Sequence, residues 1–133
     1  MISTMKKIIV LFGFVLFSSN IFSQQLIFCE GVDADGVPSH ASHSFEIATQ
    51  GSFLYLLVKM NSPLTSSKII FDIFSVDSSG KEKFESSTKL SVQPGWTWFK
   101  NGFTFYKSGN YNVYVYTESE KLIVSGRLAL YKK

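Results

Sequence analysis

From residue 44 onward the sequence is a succession of short runs in which apolar and polar residues alternate. Turn-forming clusters cut these runs at intervals of roughly 8–14 residues. Lys68–Val76 (KIIFDIFSV) sets Ile69, Phe71 and Ile73 on one face and Ile70, Asp72 and Phe74 on the other. Tyr111–Thr117 (YNVYVYT) sets Tyr111, Val113 and Val115 against Asn112, Tyr114 and Tyr116. A period of two belongs to a strand, and the period of a helix is almost absent after residue 23. Asn61-Ser62-Pro63, Asp77-Ser78-Ser79-Gly80, Pro94-Gly95 and Ser108-Gly109-Asn110 supply the breaks, with residue types that favour tight turns. The pattern excludes helical bundles and alternating strand–helix folds.

Strands are expected at Leu26–Glu30, Ser44–Ala48, Phe53–Met60, Lys68–Val76, Trp98–Tyr106, Tyr111–Thr117 and Lys121–Leu130. Phe53–Met60 (FLYLLVKM) is nearly continuous in apolar character, as a strand buried on both faces is. Glu82–Ser86 and Lys89–Gln93 read as two weaker strands, whose lysines and serines suit a sheet edge. Gly126 interrupts the last strand and predicts a bulge or a close approach. Seven to nine short strands predict an all-β, antiparallel sandwich, because each amphipathic sheet must cover its apolar face with another. A closed barrel is the second arrangement compatible with this pattern. The load of 13 Phe, 6 Tyr and 2 Trp gives such a fold ample core material and excludes a disordered chain.

The first 23 residues do not fit the pattern. Lys6 and Lys7 precede Ile8–Phe17 (IIVLFGFVLF), an unbroken apolar run. Such a run suits a secretory signal, whose apolar region has roughly 7–15 residues, and is short of the roughly 20 that span a bilayer. A signal peptide over residues 1–23 is therefore expected, cleaved after Ser23, with an uncleaved membrane anchor as the alternative. Ile21 is larger than the small residue usual at the third position before cleavage. Cys29 does not make a lipoprotein site, because bulky Ile27 and Phe28 stand before it. Removing Lys6 and Lys7 from the 13 Lys+Arg leaves 11 against 10 Asp+Glu, a net +1 in place of +3. Balanced, scattered charge and an export signal both argue against a nucleic-acid partner.

Ser108-Gly109-Asn110-Tyr111-Asn112-Val113-Tyr114-Val115 resembles the corner and penultimate strand of immunoglobulin-like domains. The resemblance implies that Tyr111 returns its hydroxyl to the backbone as a tyrosine corner and that Val113 fills the core position two residues on. It also implies a hairpin into Lys121–Leu130. With one cysteine the chain lacks the inter-sheet disulfide of antibody-type domains, and no tryptophan stands in the third long strand. The likeness is thus to the broad class of bacterial immunoglobulin-like surface and periplasmic modules, which implies contact with proteins or glycans more often than catalysis.

Four residues stand out as a binding surface: Trp96, Trp98, Tyr114 and Tyr116. In an extended segment Trp96 and Trp98 share a face about 6.5–7 Å apart, suited to sugar stacking or to anchoring a protein. Core packing is the competing use for either ring. Cys29, His40 and His43 are the soft-metal candidates, a thiolate and two imidazoles, provided that they converge. Asp33-Ala34-Asp35-Gly36 fails as an EF-hand, since Val37, Pro38 and Ser44 fall at its fifth, sixth and twelfth positions. A calcium loop of another kind would use Asp33, Asp35 and Glu30. Catalytic motifs are missing, and Cys29 sits inside an apolar strand, so no enzymatic activity and no cofactor are expected.

These readings describe an exported, periplasmic or extracellular module over residues 24–133, non-enzymatic, that binds or assists a protein of the cell envelope. The alternatives are a carbohydrate-binding module using Trp96 and Trp98, its partner then a surface glycan, and a metal-binding protein using Cys29, His40 and His43.

Overall fold

An eight-residue strand as apolar as Ser52–Lys59 needs cover on both of its faces. The computed structural model, which describes residues 24–133, shows where that cover comes from. The expected signal peptide at 1–23 lies outside the described residues.

Among the described residues ten strands follow one another: β1 (Gln25–Cys29), β2 (Gly31–Val32), β3 (Pro38–Ser39), β4 (Ser44–Glu46), β5 (Ser52–Lys59), β6 (Lys68–Val76), β7 (Glu82–Ser91), β8 (Trp98–Phe105), β9 (Gly109–Thr117) and β10 (Leu122–Tyr131). Three of them form one sheet in the order β1-β5-β8, and five form the other in the order β4-β10-β9-β6-β7. The short β2–β3 ribbon stands apart. The sandwich strands therefore number eight, within the expected range. All sandwich pairings are antiparallel except β4 with β10, which is parallel.

The core lies between the two sheets. Leu26 and Phe28 of β1, and Leu54, Leu56 and Val58 of β5, meet Ile69, Phe71 and Ile73 of β6 and Val113 and Val115 of β9. Phe71 is fully buried at its centre, edge-on to Phe99 at 6.1 Å and tilted to Phe103 at 5.6 Å. A second, smaller apolar layer lies outside the three-stranded sheet. Alternation points Cys29 and Leu57 away from the main core, yet both are fully buried. The β2–β3 ribbon lies against β5 and β1. This is why β5 reads as apolar on both sides.

The tyrosine corner is present. The Tyr111 hydroxyl donates to the Lys107 carbonyl at 2.7 Å, and Val113 is fully buried. Phe105 packs on Tyr111 with ring centres 5.2 Å apart, which joins the sheets at this corner.

Two expectations change. Glu82–Ser86 and Lys89–Gln93 are not separate strands but parts of β7, which runs unbroken from Glu82 to Ser91. Its polar middle, Ser86-Ser87-Thr88, stays extended because β6 pairs with it throughout, with a register shift at Ile73/Phe74. In β10 the irregularity falls between Leu122 and Val124, not at Gly126. Gly126 instead marks a close approach: a Cβ there would stand 3.1 Å from Leu26 and 3.4 Å from Phe28.

Candidate binding surfaces

Because Ile69, Phe71 and Ile73 face the core, Ile70, Asp72 and Phe74 face outward from the five-stranded sheet. The same alternation turns Asn112, Tyr114 and Tyr116 of β9 outward. Register sets Tyr114 opposite Asp72, Tyr116 opposite Ile70, and Phe84 of β7 opposite Phe74. A ladder of aromatic rings results. Phe84 meets Phe74 edge-on at 5.7 Å, Phe74 meets Tyr114 edge-on at 5.6 Å, and Tyr114 stacks on Tyr116 at 6.4 Å. Phe84, at one end, is 57% exposed.

Polar side chains hold this ladder in place. Glu82 Oε2 accepts a hydrogen bond from the Tyr114 hydroxyl and another from Asn112 Nδ2 at 2.7 Å. Arg127 Nε donates to Asn112 Oδ1 at 3.2 Å, and Ser87 Oγ donates to Asp72 Oδ1 at 2.6 Å. The two donors hold the Glu82 carboxyl below the usual glutamate range, the Tyr114 bond having the larger effect. The same bond pushes the Tyr114 phenol up, since its proton is engaged by a carboxylate. The polar groups largely satisfy one another, and the rings are the part left to make contacts.

Trp96 and Trp98 lie elsewhere. The Trp96 amide donates to the Gln93 carbonyl at 3.2 Å, closing a turn in which Gly95 adopts φ 98°. Trp98 opens β8, and since Phe99 points into the core, Trp98 points out from the three-stranded sheet. Gly36 of the β2–β3 connection packs on the indole of Trp98: a Cβ there would be 2.7 Å from two ring atoms. Trp98 is thus half-buried, with one face covered, while Trp96 is 42% exposed. The two line a shallow depression of about 340 Å³ with Gly95 and Thr97.

The four aromatic residues expected to share one surface therefore divide between two. β8 belongs to the three-stranded sheet and β9 to the five-stranded one, so residues turned outward from each face opposite ways. Phe74 and Phe84 join Tyr114 and Tyr116 and were missing from the sequence-derived set. Their signal was present in part: Phe74 alternates with Asp72 on the non-core face of its strand.

The metal candidates do not converge. Cys29 is buried, and that burial pushes its thiol up. His40 Nδ1 turns to Glu30 at 3.4 Å, exposed to solvent, and His43 Nδ1 lies 3.4 Å from the Arg127 carbonyl. Among the described residues no three of His, Cys, Asp and Glu come together as a metal site. The structure thus pairs His40 with Glu30 and His43 with the Arg127 carbonyl and does not gather Cys29, His40 and His43 into one site. Asp33 serves the turn itself: its Oδ1 accepts the amides of Asp35 at 2.8 Å and Val37 at 2.9 Å.

No protein family and no curated protein matches the sequence. Among solved structures the chain is similar to an immunoglobulin-like protein of Pseudomonas aeruginosa, with 9% identity and a TM-score of 0.51. The likeness covers 84% of this chain and 99% of that one. At this identity it speaks for the fold alone, and with the tyrosine corner it shows that the chain adopts an immunoglobulin-like β-sandwich.

Proposed function

We propose that the protein is an exported, non-enzymatic module of the periplasm or cell surface that binds a protein partner through the outer face of its five-stranded sheet. The observation that carries this reading is the Phe84–Phe74–Tyr114–Tyr116 ladder, continuous across three adjacent strands. Phe84 is exposed and Phe74, Tyr114 and Tyr116 are half-buried, and aromatic rings held in restricted geometry make effective anchors, since they bury much area for little ordering entropy. Export is supported by the Lys6-Lys7 pair and the apolar run Ile8–Phe17 that follows it.

The test is capture from the native cell envelope with residues 24–133 as bait. The wild type retains a protein partner, and a variant carrying Phe84→Ser and Tyr114→Ala loses it by about 30-fold or more. Equal retention by a variant with an unchanged circular dichroism spectrum overturns the reading. The glycan alternative places its ligand on Trp96 and Trp98. The cover of Gly36 on the Trp98 ring disfavours a tandem stack of two sugars there. Glycan-array binding that vanishes in Trp96→Ala would favour that alternative instead.

A further inference from the structure

One cation on the outer face of the five-stranded sheet has donors to spare. Leu128 and Leu130 of β10 face the core, so Ser125 and Arg127 face outward, and both are exposed. Arg127 Nε donates to Asn112 Oδ1 at 3.2 Å, and Asn112 Nδ2 donates onward to Glu82 Oε2 at 2.7 Å. The amide, held at both ends, fixes the guanidinium and stands between it and the Glu82 carboxylate. Among the described residues Arg127 gives a hydrogen bond through Nε alone. The ion pairs among these residues, His40 with Glu30 and Lys89 with Glu118, do not include it.

The acids around it are engaged elsewhere. Glu82 holds Tyr114 and Asn112, and Asp72 accepts from Ser87. Asp77 shares a neighbouring hollow with Arg127, but its Oδ1 takes the amides of Ser79 and Lys81, both at 2.9 Å. Glu46 stands opposite Tyr131, at the far end of β10. The charge left unmatched beside Tyr114 is therefore positive. Register completes the site: Arg127 lies opposite Asn112, and Ser125 opposite Tyr114. These four side chains border a shallow depression of about 390 Å³, which Gly126, having no side chain, also lines. The two rows are about 6.5–7 Å apart, the spacing at which alternate residues of an extended chain share a face.

We propose that this depression takes a carboxylate side chain of the protein partner, carried on an extended segment whose next residue but one is apolar. The inference rests on the reading of this sheet face as a protein-binding surface, and it names the partner's chemistry. The carboxylate accepts from the two Nη groups of Arg127 and from the Ser125 hydroxyl. A planar guanidinium pre-set by Asn112 offers that fork, and an ammonium does not. The apolar side chain then falls one row along, on Tyr114 and the Tyr116 ring stacked against it. An arginine beside a tyrosine pair joins the residue types that carry most binding energy at interfaces. The positive charge admits an acid and disfavours a base, so it supplies selectivity where the rings supply area.

The test uses residues 24–133 and two capped pentapeptides of serine, with leucine at the fourth position and either glutamate or glutamine at the second. Arg127 is the sole arginine of the chain, so its Nε–H gives a single NMR signal that reports the site directly. The glutamate peptide shifts that signal and the amides of Ser125 and Tyr114, and it binds about fivefold more tightly than the glutamine peptide. The preference shrinks in Arg127→Lys and with added salt, and it vanishes in Arg127→Gln. Equal binding of the two peptides, an unmoved Arg127 signal, or a preference that survives Arg127→Gln overturns the proposal. Capture from the envelope separates it from the function proposed above. A partner lost by the Phe84→Ser, Tyr114→Ala variant but fully retained by Arg127→Gln overturns the carboxylate site alone. No partner retained by the wild type overturns the protein-binding reading and this inference with it.

Discussion

Tyr114 and Glu82 are hydrogen-bonded across a strand that contains neither of them. Tyr114 lies on β9, Glu82 on β7, and β6 runs between. Asn112 makes the same crossing to the same oxygen. The outer face of the five-stranded sheet is thus strapped laterally, above its backbone ladder.

This strap has a pH signature with two signs. The folded Glu82 carboxyl titrates below its unfolded value, so its contribution to stability is complete above the ordinary glutamate range. It is lost as pH falls through the lowered folded value. The Tyr114 phenol titrates above its unfolded value, so its contribution is present below the ordinary tyrosine range and is lost as pH rises through the folded value. Spectrophotometric titration of tyrosinate is expected to show late components from Tyr114 and from Tyr111, whose phenol is raised by burial and by Glu85. Glu82→Gln moves the Tyr114 component down and leaves that of Tyr111 in place.

Tyr111→Phe removes the bond to the Lys107 carbonyl while keeping the ring against Phe105. The expected loss is about 1 kcal/mol in urea unfolding, with the denaturant slope unchanged. A loss indistinguishable from zero would show that the corner is held by ring packing alone.

Two glycines separate backbone strain from collision. Gly36 and Gly80 both adopt positive φ, 79° and 88°, but only Gly36 faces an obstacle, the Trp98 indole at 2.7 Å. Gly80→Ala is expected to cost about 1–2 kcal/mol, the strain of a left-handed backbone. Gly36→Ala costs more and alters the near-ultraviolet circular dichroism of tryptophan. Equal costs with an unaltered spectrum would contradict the packing of Gly36 on Trp98.

Cys29 is expected to be inert to thiol reagents in the folded protein and reactive once it unfolds, since it is buried and its thiol is pushed up. The modification rate measured against urea concentration should follow global unfolding. Rapid labelling in buffer would mean that the Cys29 thiol is uncovered by local opening rather than by global unfolding.

Much of this architecture is written locally. The bounds of β6 follow from KIIFDIFSV and its flanking turns, and the corner at Tyr111 from a glycine, a tyrosine and a strict alternation. What was not legible depends on partners distant in the chain. Ser86-Ser87-Thr88 has no apolar alternation and is a strand only because β6 lies beside it. The parallel pairing of β4 with β10 joins Ser44 to Ala129, and no local pattern encodes it. The same holds for the binding surfaces. Alternation set Tyr114 opposite the core face of its strand and Trp98 on one face with Trp96, but which sheet each strand joined decided that Trp98 and Tyr114 face apart. Phe84 was hidden because β7 is polar on both faces, which leaves its outward side undefined in sequence.

The pairing of β4 with β10 also sets an order in time. Residues 44–46 wait for residues 129–131, some 85 positions later, before this edge of the large sheet can form. β10 also covers β9, and its Leu128 and Leu130 are core residues. A nascent chain therefore keeps the edge of its large sheet open until residues 129–131 have emerged.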